Sequence, residues 1–254
     1  MSDWGRLRSE LDTWAQAGRR ATFWWRDDDA GPSTPELRQL LDLSAEFAVS
    51  VCLAVIPEDT TDALVEELGG TTCHVLQHGL GHRNLAPAGH KKSEFGPHRP
   101  VYERLADVAI GFEGLRQRFP LRHLPVFVPP WNRIGEDLLE HLPLARIEAI
   151  SGFKPRAAER PVEGLLQVNC HVDPIDWRGS RGFIGQEPVL SALVEHLEGR
   201  RLERYDADEP TGILTHHRIH DGGMWSFLHQ LLHITCQCDG AHWLTGAEVF
   251  RVPG

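Results

Sequence analysis

Short apolar runs alternate with amphipathic stretches along most of this chain of 254 residues, and that alternation constrains its fold most. The runs lack the in–out pattern of half-exposed strands, so they are typical of parallel strands buried on both faces. Strands that alternate with helices predict an α/β fold, and about seven strand candidates approach the number that a barrel needs. The strand candidates are residues 21–25, 49–56, 73–77, 124–128, 145–150, 165–172 and 212–215.

The N-terminal segment, within residues 1–20, predicts an amphipathic helix over residues 3–17 that packs on one end of the core. Its apolar side chains recur at intervals of three and four: Trp4, Leu7, Leu11 and Trp14. We find no internal repeat and no linker-like segment. Residues 1–254 are therefore predicted to form a single catalytic domain.

The charge balance narrows the choice of partners. A formal net charge of −10 disfavours nucleic acid and anionic membranes. The cysteine count is five, an odd number in a long chain, which makes a disulfide framework improbable. The N-terminus lacks the apolar core of a signal peptide, and no apolar run approaches the ~18 residues of a membrane span. We expect a cytoplasmic protein without a membrane partner.

Polar side chains follow five of the apolar runs directly. Because the carboxyl ends of parallel barrel strands share one rim, where active sites are built, we expect these side chains to converge. They lie in the segments 27–29, 78–82, 129–132, 173–177 and 216–217.

Two of these segments indicate a metal site. Three adjacent carboxylates, Asp27–Asp29, repel one another unless a cation or an arginine such as Arg26 lies nearby. His78 and His82 have the i, i+4 spacing that places two imidazoles on one side of a helical turn. Two imidazoles and one carboxylate suit zinc and leave a position open for water.

Together these segments resemble the polysaccharide deacetylases, a carbohydrate esterase family. Residues 25–29 resemble the first motif, in which an apolar strand ends in a base followed by a metal ligand. Residues 78–82 resemble the HxxxH of the second motif. Residues 127–132 resemble the third motif, a proline-containing groove wall. Residues 173–177 resemble the fourth, an Asp-Trp pair, and residues 214–216 resemble the fifth, a strand that delivers a catalytic histidine.

The resemblance implies a distorted (β/α)7-type barrel that removes an N-acetyl group, from an amino sugar or a soluble saccharide. It implies that Asp29, His78 and His82 hold a divalent metal, Zn²⁺ by preference, and that Asp28 is the general base. The general acid is then His216 or its neighbour His217, of which we favour His216.

Further roles follow from the same resemblance. Asp176 is expected to orient the catalytic histidine. Trp131 and Trp177 are expected to line the substrate cleft with Pro130 and Asn132, although buried packing explains the two tryptophans equally well.

The chain departs from the family pattern in two places. Val128 stands where the family has an arginine that supports the base, and Arg133 or Arg178 is the expected substitute. Gly79 stands where the family has a hydroxyl residue that supports the metal-binding loop. Two interpretations stay open for Lys92, Glu94 and His98 in the long loop 83–100: the loop covers the site, or, as we favour, it is solvated.

Two other functions stay open. One is a hydrolase of the same fold that acts on a small non-sugar amide, and the other is a non-catalytic binding module. The presence of all the metal ligands and acid–base candidates argues against the binding module. The sequence does not indicate an oligomeric state.

Overall fold

The fold is a parallel sheet wrapped by helices, seen in a computed structural model that describes residues 3–251. Seven strands lie in the order β6-β5-β4-β3-β2-β1-β7, and an eighth pairs with the start of β1. The strands are β1 (Ala21–Ala30), β2 (Val51–Val55), β3 (His74–His78), β4 (His123–Val128), β5 (Ala149–Ile150), β6 (Leu166–Gln167), β7 (Thr211–Thr215) and β8 (Ala241–Trp243). The helices are α1 (Asp3–Gln16), α2 (Pro35–Phe47), α3 (Asp62–Leu68), α4 (Val101–Arg118), α5 (Glu136–Leu139), α6 (Gln186–Arg201), α7 (Gly222–Cys236) and α8 (Gly246–Phe250).

Residues 168–172 join the two edges of this sheet. On one side the Cys170 N–H donates to the carbonyl of Gly152 at 3.0 Å, and on the other the Leu214 N–H donates to the carbonyl of Val172 at 2.8 Å. The predicted α/β barrel of the distorted (β/α)7 type is confirmed. The predicted strand 165–172 is regular only at β6, because the rest of it makes single bridges to its neighbours.

Alternate residues of each strand face opposite sides of the barrel. One buried cluster gathers a side chain from every strand of the barrel, including Trp24 of β1 and Leu214 of β7, and so marks the interior. The other side of β1 and β7, with Trp25 and Ile213, packs against the helices. This parity decides which polar residues beyond each strand point into the barrel mouth.

The predicted N-terminal helix is confirmed as α1. Its apolar face belongs to the cluster between sheet and helices, and the Trp4 indole donates to Gln186 Oε1 of α6 at 2.8 Å. The predicted domain limits 1–254 extend past the described residues at both ends. Among the helices of residues 3–251, none has both the length and the apolarity to cross a bilayer.

Candidate active site

Asp29, His78 and His82 converge at the barrel mouth, as the sequence predicts. Asp29 Oδ1 lies 3.1 Å from His78 Nε2 and 3.2 Å from His82 Nε2. His78 Nδ1 lies 3.0 Å from the Val128 carbonyl oxygen, so a proton on Nδ1 leaves the Nε2 lone pair free for a metal. Within residues 3–251, these three side chains alone form a group with ligand spacing. Two imidazoles and a carboxylate fit a divalent ion such as zinc.

A bulge in β1 brings Asp29 to this position. Asp27 pairs with Leu53 of β2 and Ala30 pairs with Val55, so Asp28 and Asp29 together oppose a single residue of β2. The φ angle of Asp29 is +66°. A bulge interrupts the alternation of a strand and redirects a side chain. Asp29 therefore reaches the mouth instead of following Asp27 to the helix side.

Left-handed backbone conformations cluster around the site. Besides Asp29, His82 has a φ of +52°, Trp131 of +56° and Asn132 of +53°. Such angles are uncommon for residues other than glycine, and they persist where the surrounding structure enforces them. Their concentration at three separate loops of one rim is typical of a functional site.

Asp28 lies inside the barrel and is held by Arg26. Arg26 Nε donates to Asp28 Oδ1 at 2.8 Å and Nη2 donates to Oδ2 at 3.0 Å. Arg26 is fully buried, and its remaining donors bind Ser151 Oγ at 2.7 Å and Asn132 Oδ1 at 2.8 Å. Burial opposes the charge of Arg26, but the adjacent Asp28 keeps its pKa above the ordinary value.

The expected substitutes for the missing arginine do not reach Asp28. Arg133 is exposed and donates to the backbone carbonyl of Lys92 at 2.8 Å. Arg178 is exposed in the loop after Trp177. These two hypotheses are corrected: Arg26, two residues before Asp28 on the same strand, makes the contact.

The two adjacent histidines after β7 face opposite sides. His216 continues the interior parity of Leu214, and its ring meets that of Trp177 edge-on at 4.7 Å. His217 is fully buried on the helix side, where Nδ1 is hydrogen-bonded to Asp27. His216 is thus the one that faces the mouth.

Asp173, rather than Asp176, is connected to His216, because its Oδ2 accepts the indole N–H of Trp177 at 2.7 Å and the Trp177 ring packs on His216. Asp176 accepts the N–H groups of Gly179 at 2.9 Å and Ser180 at 3.0 Å, and so closes its own turn. Burial raises the pKa of Asp173, and the charge of His216 opposes that rise. The sequence signal for Asp173 was its place directly after a strand candidate, which the Asp-Trp resemblance outweighed.

Of the four residues predicted to line the cleft, the two tryptophans lie against histidines of the site, and the other two contact supporting residues. Trp131 lies against His82, with ring centroids 4.4 Å apart, and Trp177 is 43% exposed beside His216. Pro130 is buried beneath Gly79, and Asn132 supports Arg26. A role in substrate contact stays a prediction for all four.

The charges around Asp29, His78 and His82 shift the pKa values of the two imidazoles in opposite directions. Burial disfavours charge on His78, but Asp28 and Asp29 outweigh it and raise its pKa. Burial and the charge of His78 lower the pKa of His82. Although burial disfavours the Asp29 carboxylate, hydrogen bonding to His78 and the nearby histidine charges hold its pKa well below the ordinary value. The site is built to keep Asp29 ionised.

No family model matches the chain, and no curated protein matches it in sequence. Solved structures do share its fold. A putative polysaccharide deacetylase from Mycobacterium smegmatis has a TM-score of 0.61 at 14% identity, with 91% of this chain and 90% of that chain covered. The peptidoglycan deacetylase PdaC from Bacillus subtilis has a TM-score of 0.55 at 14% identity, covering 92% and 91%. A family 4 acetyl xylan esterase from Clostridium thermocellum, solved with a cobalt ion, has a TM-score of 0.53 at 14% identity, covering 91% of each. The chain therefore has the polysaccharide-deacetylase fold.

Proposed function

We propose that this protein is a metal-dependent hydrolase that removes the N-acetyl group of an amino sugar. One observation carries the proposal: the barrel mouth that holds Asp29, His78 and His82 also holds a carboxylate bound by an arginine, Asp28, and a histidine, His216. A metal group with a base and an acid beside it is the set that amide hydrolysis needs.

The metal group sets the position of the scissile bond. Asp29, His78 and His82 would hold a divalent ion, zinc by the donor set, and that ion would supply Lewis acidity for hydrolysis of the acetyl amide. The exposed Trp177 and the partly exposed Trp131 flank this point, and their rings offer apolar faces to a sugar.

Asp28 is the proposed general base. It takes a proton from the water that attacks the carbonyl carbon. Arg26 binds both carboxylate oxygens, which fixes the orientation of Asp28 while leaving each oxygen a further lone pair.

His216 is the proposed general acid. It donates a proton to the amide nitrogen as the carbon–nitrogen bond breaks, because an amine leaves poorly unless it is protonated. The Trp177 ring, which packs edge-on against His216, is held in turn by Asp173, whose Oδ2 accepts the indole N–H at 2.7 Å. The products are acetate and the free amino sugar.

The relatives in fold support a saccharide substrate. Their names include a peptidoglycan N-acetylglucosamine deacetylase and an acetyl xylan esterase. Arg26 takes the place of the family arginine that is missing at Val128. Because Asp28 therefore keeps its supporting arginine, one reason to favour a non-sugar amide is removed.

A substrate panel tests the proposal. The chain is stripped with a chelator, reloaded with zinc or cobalt, and assayed for acetate release from N-acetylglucosamine, its oligomers and N-acetyl amino acids. We expect metal-dependent release from at least one sugar and none from the Asp29→Asn variant. Release from the amino acids alone would contradict the saccharide assignment, and no release from any compound would contradict the deacetylase.

A further inference from the structure

The turn between the two histidine ligands is gripped by a carboxylate from a distant loop. Glu94 is only 3% exposed, against the expectation of a solvated residue. Its Oε1 accepts the N–H of Gly81 at 3.0 Å, and Oε2 accepts the N–H of Leu80 at 3.4 Å. Both donors belong to the three residues that separate His78 from His82, so Glu94 fixes the path between the ligands.

Gly79 and Glu94 share one space. Gly79 has a φ of +62°, and a Cβ built on it would collide with Glu94 Oε2 and with Pro130. The absence of a side chain at residue 79 therefore lets the Glu94 carboxylate approach the turn. Gly79 lacks the hydroxyl group with which the family supports this turn, and Glu94 from the loop 83–100 supports the turn instead.

Other backbone N–H and carbonyl groups of this turn are hydrogen-bonded to other parts of the chain. The Gly79 N–H donates to the Val128 carbonyl at 3.2 Å, and Gln77 Nε2 donates to the Gly79 carbonyl at 3.0 Å. The Leu80 carbonyl accepts the N–H of Glu58 at 3.1 Å. Glu94 thus supplies the acceptors that the remaining N–H groups require, since buried backbone donors are rarely left unpaired.

The charge of Glu94 has no ion-pair partner within residues 3–251. Arg99 reaches only its backbone carbonyl, at 3.4 Å, and pairs with Asp107 instead. Glu58, beside the same turn, is paired with Arg83. A buried carboxylate without a counter-charge is unfavourable, and a cation at the neighbouring histidines would offset that.

We infer that Glu94 is a positioning residue for the metal centre. It holds residues 79–81 so that His78 and His82 present their nitrogens together, and its negative charge strengthens cation binding. The inference rests on the proposed function, because it needs a metal at Asp29, His78 and His82.

Zinc affinity measured against a competing chelator tests this role. Loss of an outer partner of a metal ligand typically weakens binding ~10–100-fold. We expect a loss in that range for Glu94→Ala and a smaller one for Glu94→Gln, which keeps one acceptor oxygen without the charge. Glu58→Gln is the matched control, because Glu58 touches the same turn but is already paired, and its affinity should equal that of the wild type.

Thermal unfolding of the metal-free variants separates positioning from general stability. We expect Glu94→Gln to lose zinc affinity while its metal-free midpoint stays unchanged. Wild-type affinity in both Glu94 variants would overturn the inference, as would a loss of equal size in Glu58→Gln. If the wild type binds no zinc, both the proposed function and the role of Glu94 are wrong. If the wild type and both Glu94 variants bind zinc equally well, only the role of Glu94 is wrong and the proposed function stands.

Discussion

Arg26 binds both carboxylate oxygens of Asp28, two residues further along the same strand. Residues i and i+2 of a strand share a face, so β1 alone places the proposed base and its clamp inside the barrel. The bulge that follows then turns Asp29 toward the two histidines. One strand thus provides the proposed base, the arginine that binds it and a proposed metal ligand, and Val128 of β4 needs no charge.

Replacement of Arg26 should strongly destabilise the fold. Arg26→Gln leaves Asp28 buried without its partner, and breaking a buried pair from one side costs ~3–5 kcal/mol. Arg38→Gln is the control, because Arg38 pairs with Glu67 at the surface and such pairs contribute at most ~1 kcal/mol. Urea denaturation measures both. Equal, small losses would show that the clamp does not hold Asp28.

Replacement of the base should separate activity from metal binding. Asp28→Asn keeps all three proposed ligands but cannot accept a proton, so we expect zinc content to persist while turnover falls ~10²–10⁴-fold. Turnover and bound zinc are measured on the same sample, with folding checked by circular dichroism. A fully active Asp28→Asn would transfer the role of base to another group.

Replacement of His216 should affect turnover, whereas replacement of His217 should affect stability. His216→Ala removes the side chain that faces the mouth, so turnover should fall while zinc content and stability persist. His217→Ala instead leaves the Asp27 carboxylate short of a donor on the helix side, which costs ~1–3 kcal/mol of unfolding free energy. Kinetics and urea denaturation of both variants decide. An active His216→Ala beside a folded but inactive His217→Ala would reverse the assignment.

Acid should destabilise the metal-free chain through buried neutral histidines. Burial lowers the pKa of His123 to about 4 in the folded chain, against ~6.5 when unfolded. Between these values the unfolded chain binds a proton that the folded chain does not, so unfolding free energy falls as pH decreases from ~6.5 toward ~4.

Urea denaturation near pH 7 and near pH 5 checks this expectation. His123→Phe keeps the ring that packs on Phe112 and removes the titration, so its stability should vary less with pH than that of the wild type. An unchanged pH dependence in His123→Phe would exclude His123 as the cause.

The metal group was predictable from sequence because parallel strands deliver their carboxyl ends to one rim. That rule places the segments 27–29 and 78–82 at one rim. The bulge in β1 that turns Asp29 toward the two histidines has no counterpart in the apolar runs and was not predictable. The preference for His216 over His217 came from the family resemblance, and the interior parity that His216 shares with Leu214 is seen only in the structure. The prediction for the rim depends only on parallel strands in one sheet, which the alternation of apolar runs with amphipathic stretches indicates.

The supporting residues were not predictable, because their contacts depend on loop paths. Glu94 lies in a long loop whose composition suggests solvent, yet the loop folds back on the turn at Gly79. Asp176 resembles a family motif, but its loop closes on itself, and Asp173 holds the Trp177 ring that packs on His216. The short strand β8 also lacks an apolar run, because its residues are only partly buried or exposed.

Titration of the metal-free chain with zinc, read out as acetate release from the best sugar of the panel, tests the central claim most directly. We predict that activity rises with added zinc to one equivalent and then stays constant, and that His82→Ala shows no such rise because it lacks a ligand. Full activity of the metal-free chain, or the same titration curve for His82→Ala, would contradict a metal centre at Asp29, His78 and His82.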